Sequence, residues 1–226
     1  MRTNRDDIYV NPLTAIRLFN KTYISIREKI FSDKRYKVTR EAWIASMFLF
    51  GLSKREQRDW FLRPNPRDET PDFYSCSFKE ESYVVRETRQ LEVFEWRKES
   101  SEVFLTALKR KIKNLHAKSI TVICYLRKAG NIGNVRELSE KVQKIKINVM
   151  DLWCLASVKP KESHFALFQI YPSPFRLNDT DYDLLLKERE KVSFVKPYRG
   201  KREDLKFEPL GKKVLLTPEF QFEEIE

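Results

Sequence analysis

Asp72, preceded by Pro71, and two glutamates in the run Gln90-Leu91-Glu92-Val93-Phe94-Glu95-Trp96 have the residue types and spacing that suggest chemistry. The run reads as a β-strand, so Glu92 and Glu95 project to opposite faces. Carboxylate oxygens are hard donors that suit a divalent cation such as Mg²⁺. Two cations, Arg97 and Lys98, follow at once.

Other chemistries find less support. Neither His116 nor His164 has a nucleophile at motif spacing. The three cysteines, Cys76, Cys124 and Cys154, are far apart, and with two histidines they form no metal-binding pattern. They are expected to be small buried thiols in a reducing compartment, which points to the cytoplasm. Gly130-Asn131-Ile132-Gly133 lacks a third glycine and no Gly-Lys-Ser/Thr follows, which sets aside dinucleotide-fold and P-loop readings. No apolar stretch follows the charged N-terminus, so no secretory signal is expected. No uncharged apolar run nears the roughly 18 residues that span a membrane.

The elements around the acids set the fold class. Phe73 to Phe78 and Tyr83 to Trp96 read as a hairpin about the polar turn Lys79-Glu80-Glu81-Ser82. Ser100 to Lys118 is an amphipathic helix whose buried stripe is Val103, Phe104, Ala107, Leu108, Ile112 and Leu115. Ser119 to Leu126 is continuously apolar, as a strand covered on both faces would be. Asn134 can cap a helix over Val135 to Lys144, and Val149 to Val158 is a further apolar strand. Strand, helix, strand, helix, strand implies parallel strands with right-handed crossovers. Ser163 to Tyr171 then returns antiparallel. The expected fold class is α/β, a mixed central sheet with flanking helices and an N-terminal helical region.

Residues 1–66 form that helical region, and residues 67–226 the α/β core with a basic C-terminal extension, the two making one compact unit. Asn11 and Pro12 begin a first helix with Ile16, Phe19, Tyr23, Ile26 and Ile30 on one face. A second helix starts near Thr39 and ends at Gly51. Ser53-Lys54-Arg55-Glu56 has the form of a capping box for a third helix holding Trp60, Phe61 and Leu62. The rhythm is that of a helix-turn-helix, although most such pairs enter no DNA groove. The proline-rich stretch Arg63 to Pro71 is the boundary loop. Asp179 to Glu190 reads as one more helix, and Val214 to Leu216 and Phe220 to Phe222 as short terminal strands.

Lys and Arg outnumber Asp and Glu by 44 to 33, a net charge of +11. Such an excess favours an anionic partner, nucleic acid foremost, with salt-sensitive binding. The candidate phosphate-facing cations are Lys109, Arg110, Lys111 and Lys113 on the amphipathic helix, and Arg199, Lys201 and Arg202 in the C-terminal segment. The helical four would equally serve as a solvated face that complements the helix dipole.

The hairpin, helix and strand, with Pro71-Asp72 and Glu92, resemble the core of the PD-(D/E)XK, or restriction-endonuclease-like, nuclease superfamily. The resemblance covers roughly residues 40–126. It implies that Asp72 and Glu92 bind a divalent metal, Mg²⁺, and that Glu56 matches the acid some members contribute from their first helix. In that family a lysine two places beyond the second acid orients or activates water. Phe94 stands there in this chain. A second frame, Glu95-Trp96-Arg97, puts Arg97 in the lysine place, where it keeps the charge but cannot act as a base. Lys98 could reach in from the following turn. The resemblance implies a metal-dependent hydrolase of phosphodiesters. The alternative is a non-catalytic nucleic-acid-binding or protein-assembly module on a degenerate core of the same kind.

Overall fold

The computed structural model describes residues 8–67, 69–78, 83–97, 103–113, 115, 118–127, 134–145, 147–157, 164–198, 206–211 and 214–224. Strand β1 (Tyr9–Val10) leads into helix α1 (Pro12–Ile26). Asn11 caps α1 by accepting from the Leu13 amide at 2.9 Å, and Pro12 occupies the first turn, where its missing N–H costs nothing. The chain then tightens into 3₁₀ turns over Arg27–Phe31 and Lys34–Tyr36 before helix α2 (Lys37–Glu56).

Helix α2 departs from the sequence expectation. It runs without a break through Gly51, and no helix-turn-helix forms. A Cβ at Gly51 would lie 2.7 Å from Leu177 Cδ2 and 3.0 Å from Leu167 Cδ2. Gly51 is therefore the place where two leucines of the sheet press onto the helix, not its terminator. Ser53 to Glu56, which has the form of a capping box, lies inside the helix, and Gln57 ends it in the left-handed conformation (φ 52°, ψ 46°). Thr39 lies within α2, where its hydroxyl donates to the Pro218 carbonyl at 2.5 Å.

The expected third helix is likewise a strand. After β2 (Asp59–Pro64) come β3 (Phe73–Phe78) and β4 (Val85–Arg97). Trp60 and Leu62 enter the core beneath α1 and α2, whereas Phe61 joins a separate cluster on the opposite face. That alternation is a strand period, which so short an apolar run did not reveal. Next are α3 (Phe104–Lys113), β5 (Ile120–Arg127), α4 (Val135–Gln143, capped by Asn134) and β6 (Asp151–Ser157). They follow the sequence reading closely.

The remaining elements are β7 (His164–Tyr171), β8 (Phe175–Asp181), α5 (Tyr182–Leu185), β9 (Phe194–Tyr198), β10 (Lys206–Leu210), β11 (Val214–Leu216) and β12 (Phe222–Glu224). The helix expected from Asp179 to Glu190 shrinks to α5, because Asp179 to Asp181 pair with β7 as part of β8.

Ten strands form one sheet in the order β10-β9-β1-β2-β3-β4-β5-β6-β7-β8. The pairs β4·β5 and β5·β6 are parallel and every other neighbouring pair is antiparallel. The fold is thus α/β with a mixed sheet. Strands β1 and β2 of the first 66 residues are integral to it, so the helical front shares the core's sheet.

Helices α1 and α2 cover one face, burying Trp43, Phe48, Leu91, Val93, Ile123 and Trp153. Helices α3 and α4 cover the other over Ile120, Val122, Cys124, Leu126 and Cys154. Every residue of β5 is buried, as expected for a strand between two helical layers. All three cysteines are buried and free. No described helix is long and apolar enough to cross a membrane.

Candidate functional site

The site forms where β2 and β3 stop and β4 continues. Phe73 of β3 pairs with Leu91, so Asp72, one residue earlier, stands opposite Glu92. Residues directly opposite on antiparallel strands have Cβ atoms about 4.5–5.5 Å apart. Past the end of β3 the amide of Val93 would lack a ladder partner. Asp72 supplies one, its Oδ2 accepting from Val93 N at 2.7 Å. The bond pins the carboxylate against β4 beside Glu92.

Glu92 faces α3. Its side chain is only 3% exposed, and Lys111 of α3 donates to its Oε1. The other oxygen, Oε2, is buried with no hydrogen-bond partner among the described residues. Lys111 lies at the flank of the helix stripe formed by Phe104, Leu108 and Ile112, so its stem follows apolar surface while the ammonium turns to the acid. The cation beside Glu92 therefore comes from the following helix.

Glu95 points the other way, as its place in the pleat requires, and pairs with Arg40 of α2 at 2.5 Å. Arg40 also donates to the Ile30 carbonyl at 2.8 Å. Beside Arg40, Glu41 lies close enough to Asp72 for the Asp72 charge to act on it, and Lys37 sits one turn before it at 3.9 Å. Groups from both sheet faces meet here because the sheet is incomplete beyond Phe73.

The electrostatics follow from this crowding. Burial, and then the Glu92 charge, push the Asp72 carboxyl from its ordinary 3.8 up to about 6, against the opposing Val93 bond, Lys111 and Lys37. Burial and the Asp72 charge carry Glu41 from 4.5 to about 8, with Lys37 and Arg40 opposing and Glu95 assisting. Burial acts to lower the Lys111 ammonium, but the bond and charge of Glu92, with Asp72 and Glu41 behind, raise it instead. Three acids and one half-buried lysine thus share one electrostatic unit.

The other sequence candidates are placed elsewhere. Glu56 is fifteen residues beyond Glu41 on α2, about 22 Å along the axis. Its carboxylate instead accepts from Trp60 Nε1 at 3.3 Å. The acid that α2 brings to Asp72 is Glu41. Arg97 donates to the Phe31 carbonyl at 3.0 Å, at the far end of β4. Lys109, Arg110 and Lys113 are exposed on α3. Lys98, Arg199, Lys201, Arg202 and His116 lie outside the described residues. His164 is on β7, 3.4 Å from Asp181.

The donor set fits a small, hard dication. Mg²⁺ is commonly held by one or two carboxylates, with water and substrate phosphate completing its shell. Asp72 and Glu92 would supply those carboxylates, and Glu92 Oε2, which has no hydrogen-bond partner among the described residues, would offer a lone pair. Among the described residues no three His, Cys, Asp or Glu side chains converge at metal-ligand spacing, so the site rests on this pair. Comparison with protein-family models, curated proteins and solved structures gave no match to this chain.

Proposed function

We propose that this protein is a metal-dependent, nuclease-like hydrolase of nucleic-acid phosphodiesters, on a core of the PD-(D/E)XK kind. The observation that carries this reading is the meeting of Asp72, Glu92 and Lys111, two facing carboxylates with a lysine on the second. The hairpin, helix and parallel strand on which the family resemblance rests all occur in the expected order, which supports it further.

Asp72 and Glu92 would hold Mg²⁺, which when bound neutralises phosphoryl charge and lowers the pKa of an attacking water. Lys111 holds the Glu92 carboxylate in one orientation. Its side chain, 31% exposed, also offers a positive charge to a phosphate oxygen. Lys37, half exposed, offers a second from α2. Glu41, at about 8, holds a proton near neutral pH and is suited to pass it to or from a reacting oxygen. The net charge of +11 favours a polyanionic substrate, and the buried free thiols favour a reducing, cytoplasmic setting.

The test is cleavage of single- and double-stranded DNA and RNA with Mg²⁺ or Mn²⁺. Native protein should cleave at least one of these polymers, and Asp72→Ala and Glu92→Ala should not while still folded. Cleavage that survives both substitutions, or folded native protein that cleaves nothing, refutes the reading.

A further inference from the structure

The chain between α1 and α2, residues 27–37, carries five cations, Arg27, Lys29, Lys34, Arg35 and Lys37, against two acids, Glu28 and Asp33. All five cations are exposed. Both acids are already answered, Glu28 by Arg127 of β5 and Asp33 by Arg35 at 2.8 Å. The side chains of Arg27, Lys29 and Lys34 have no ion-pair partner among the described residues. More positive charge lies beneath. Arg40 donates to the Ile30 carbonyl at 2.8 Å and Arg97 to the Phe31 carbonyl at 3.0 Å, and the Arg127 guanidinium carbon is 3.6 Å from the Phe31 ring centre. These contacts fix the segment's backbone, and Ile30 is fully buried.

Like charges gathered in this way oppose folding. The backbone adds a second cost. Arg27 sits at φ 54°, ψ −139°, where a side chain is strained and glycine is not. Folding alone therefore gives no reason for a cation there. The segment's place relative to the acids does. Lys37 opens α2 one turn before Glu41, 3.9 Å from it, and its charge acts on Asp72. Lys34 precedes Lys37 by one 3₁₀ turn, about 6 Å. Arg40, which holds Ile30, also bonds Glu95, three residues beyond Glu92 on β4. A rigid, open cationic ridge thus ends beside the carboxylates.

We propose that Arg27, Lys29, Lys34 and Lys37 form the surface on which the phosphate backbone of a nucleic acid docks, leading it to Asp72 and Glu92. The proposal rests on the phosphodiester reading for what lies at the end of the ridge. A polynucleotide is the fitting occupant because it repeats its charge along a line that can follow the ridge to the acids. An anionic membrane fits less well. Ile30 and Phe31, the apolar residues of the segment, pack inward on the core and leave no apolar surface to enter lipid. Contacts to phosphate carry no base information, so little sequence preference is expected.

Binding of fluorescent oligo(dT) and a DNA duplex, measured by anisotropy over a salt series in EDTA to prevent turnover, tests this. The double variant Lys29→Gln, Lys34→Gln should weaken binding about tenfold at low salt and reduce the slope of log affinity against log salt by about 1.5–2. Lys141→Gln with Lys144→Gln removes the same charge from exposed positions on α4, across the sheet, and should change affinity by less than about twofold. Arg27→Gly should bind more weakly yet melt higher, which separates docking from folding. Equal losses in the two lysine pairs overturn the ridge, because the attraction then belongs to the whole chain's charge. So do native affinity in the Lys29, Lys34 pair, and a folded native protein that binds no nucleic acid at low salt. If that pair lowers binding to phosphatidylserine vesicles and leaves nucleic-acid binding unmoved, the surface is a membrane's and the proposal fails. A protein that cleaves with metal yet binds as well without Lys29 and Lys34 loses the ridge and keeps the hydrolase reading. One that shows the tenfold loss but never cleaves keeps the ridge and loses the hydrolase reading.

Discussion

Replacing Asp72 by Asn should make the protein more stable and inactive at once. The folded Asp72 carboxyl titrates at about 6 against an ordinary 3.8, through burial and the Glu92 charge. On raising the pH, the unfolded chain loses this proton first. From about pH 4 upward the folded state holds more protons than the unfolded one, so stability falls with rising pH and levels off above about pH 7. A shift of about two units corresponds to about 3 kcal/mol. Asn retains an oxygen for the Val93 amide but carries no charge. Asp72→Asn should therefore exceed the native protein by up to about 3 kcal/mol above pH 7 and match it below about pH 4. For a chain of this size that is about 6–12 °C in Tm. Thermal unfolding by circular dichroism across this pH range, without divalent ions, reads both the size and the pH dependence of the gain. A variant less stable than native near pH 8, with a difference that does not change with pH, would show that Asp72 is a structural strand-end cap and carries no strained charge.

The same physics sets three further outcomes. Mg²⁺ or Mn²⁺ should raise the native Tm, by the equivalent of about 2.7 kcal/mol at a hundred times Kd, and should leave Asp72→Asn unmoved in the same melts. Lys111→Met leaves the buried Glu92 charge unpaired and should cost about 3–5 kcal/mol in urea unfolding, with Glu92→Gln in the same chain restoring most of it. Gly51→Ala should gain about 1 kcal/mol of helix propensity yet lose more, because its Cβ meets Leu177 at 2.7 Å. Comparing that substitution in native and Leu177→Ala backgrounds, by chemical denaturation, separates the two contributions.

Local pattern carried much of the fold. The stripe Phe104, Leu108, Ile112 fixed α3, and the apolar run of β5 showed a strand buried on both sides. The Asn11 and Asn134 caps marked their helices because each side chain bonds an amide two residues on. Where local signals misled, a distant contact had overruled them. Gly51 reads as a helix end until Leu167 and Leu177, more than a hundred residues later, pack against it. Trp60 to Leu62 is too short an apolar run to tell strand from helix, and pairing with β1 and β3 decided it.

The candidate site divides in the same way. The joining of Asp72 with Glu92 was an expectation from the family resemblance, whereas the pleat made it legible that Glu95 points elsewhere. Glu41 and Lys111 were not legible as members. Glu41 is one acid among several charged residues of its helix, and Lys111 is one cation of four on its own. Their roles depend on where two helices cross the sheet and on the stopping of β3 at Phe73, which lets groups from both faces meet. Sequence by itself determined the α/β class, the strand–helix–strand unit and the opposite faces of Glu92 and Glu95, because these follow from periodicities of two and about 3.6 residues. Only the tertiary structure decided which cation answers Glu92 and which acid joins Asp72, because those partners are set by packing between elements and not by spacing along the chain.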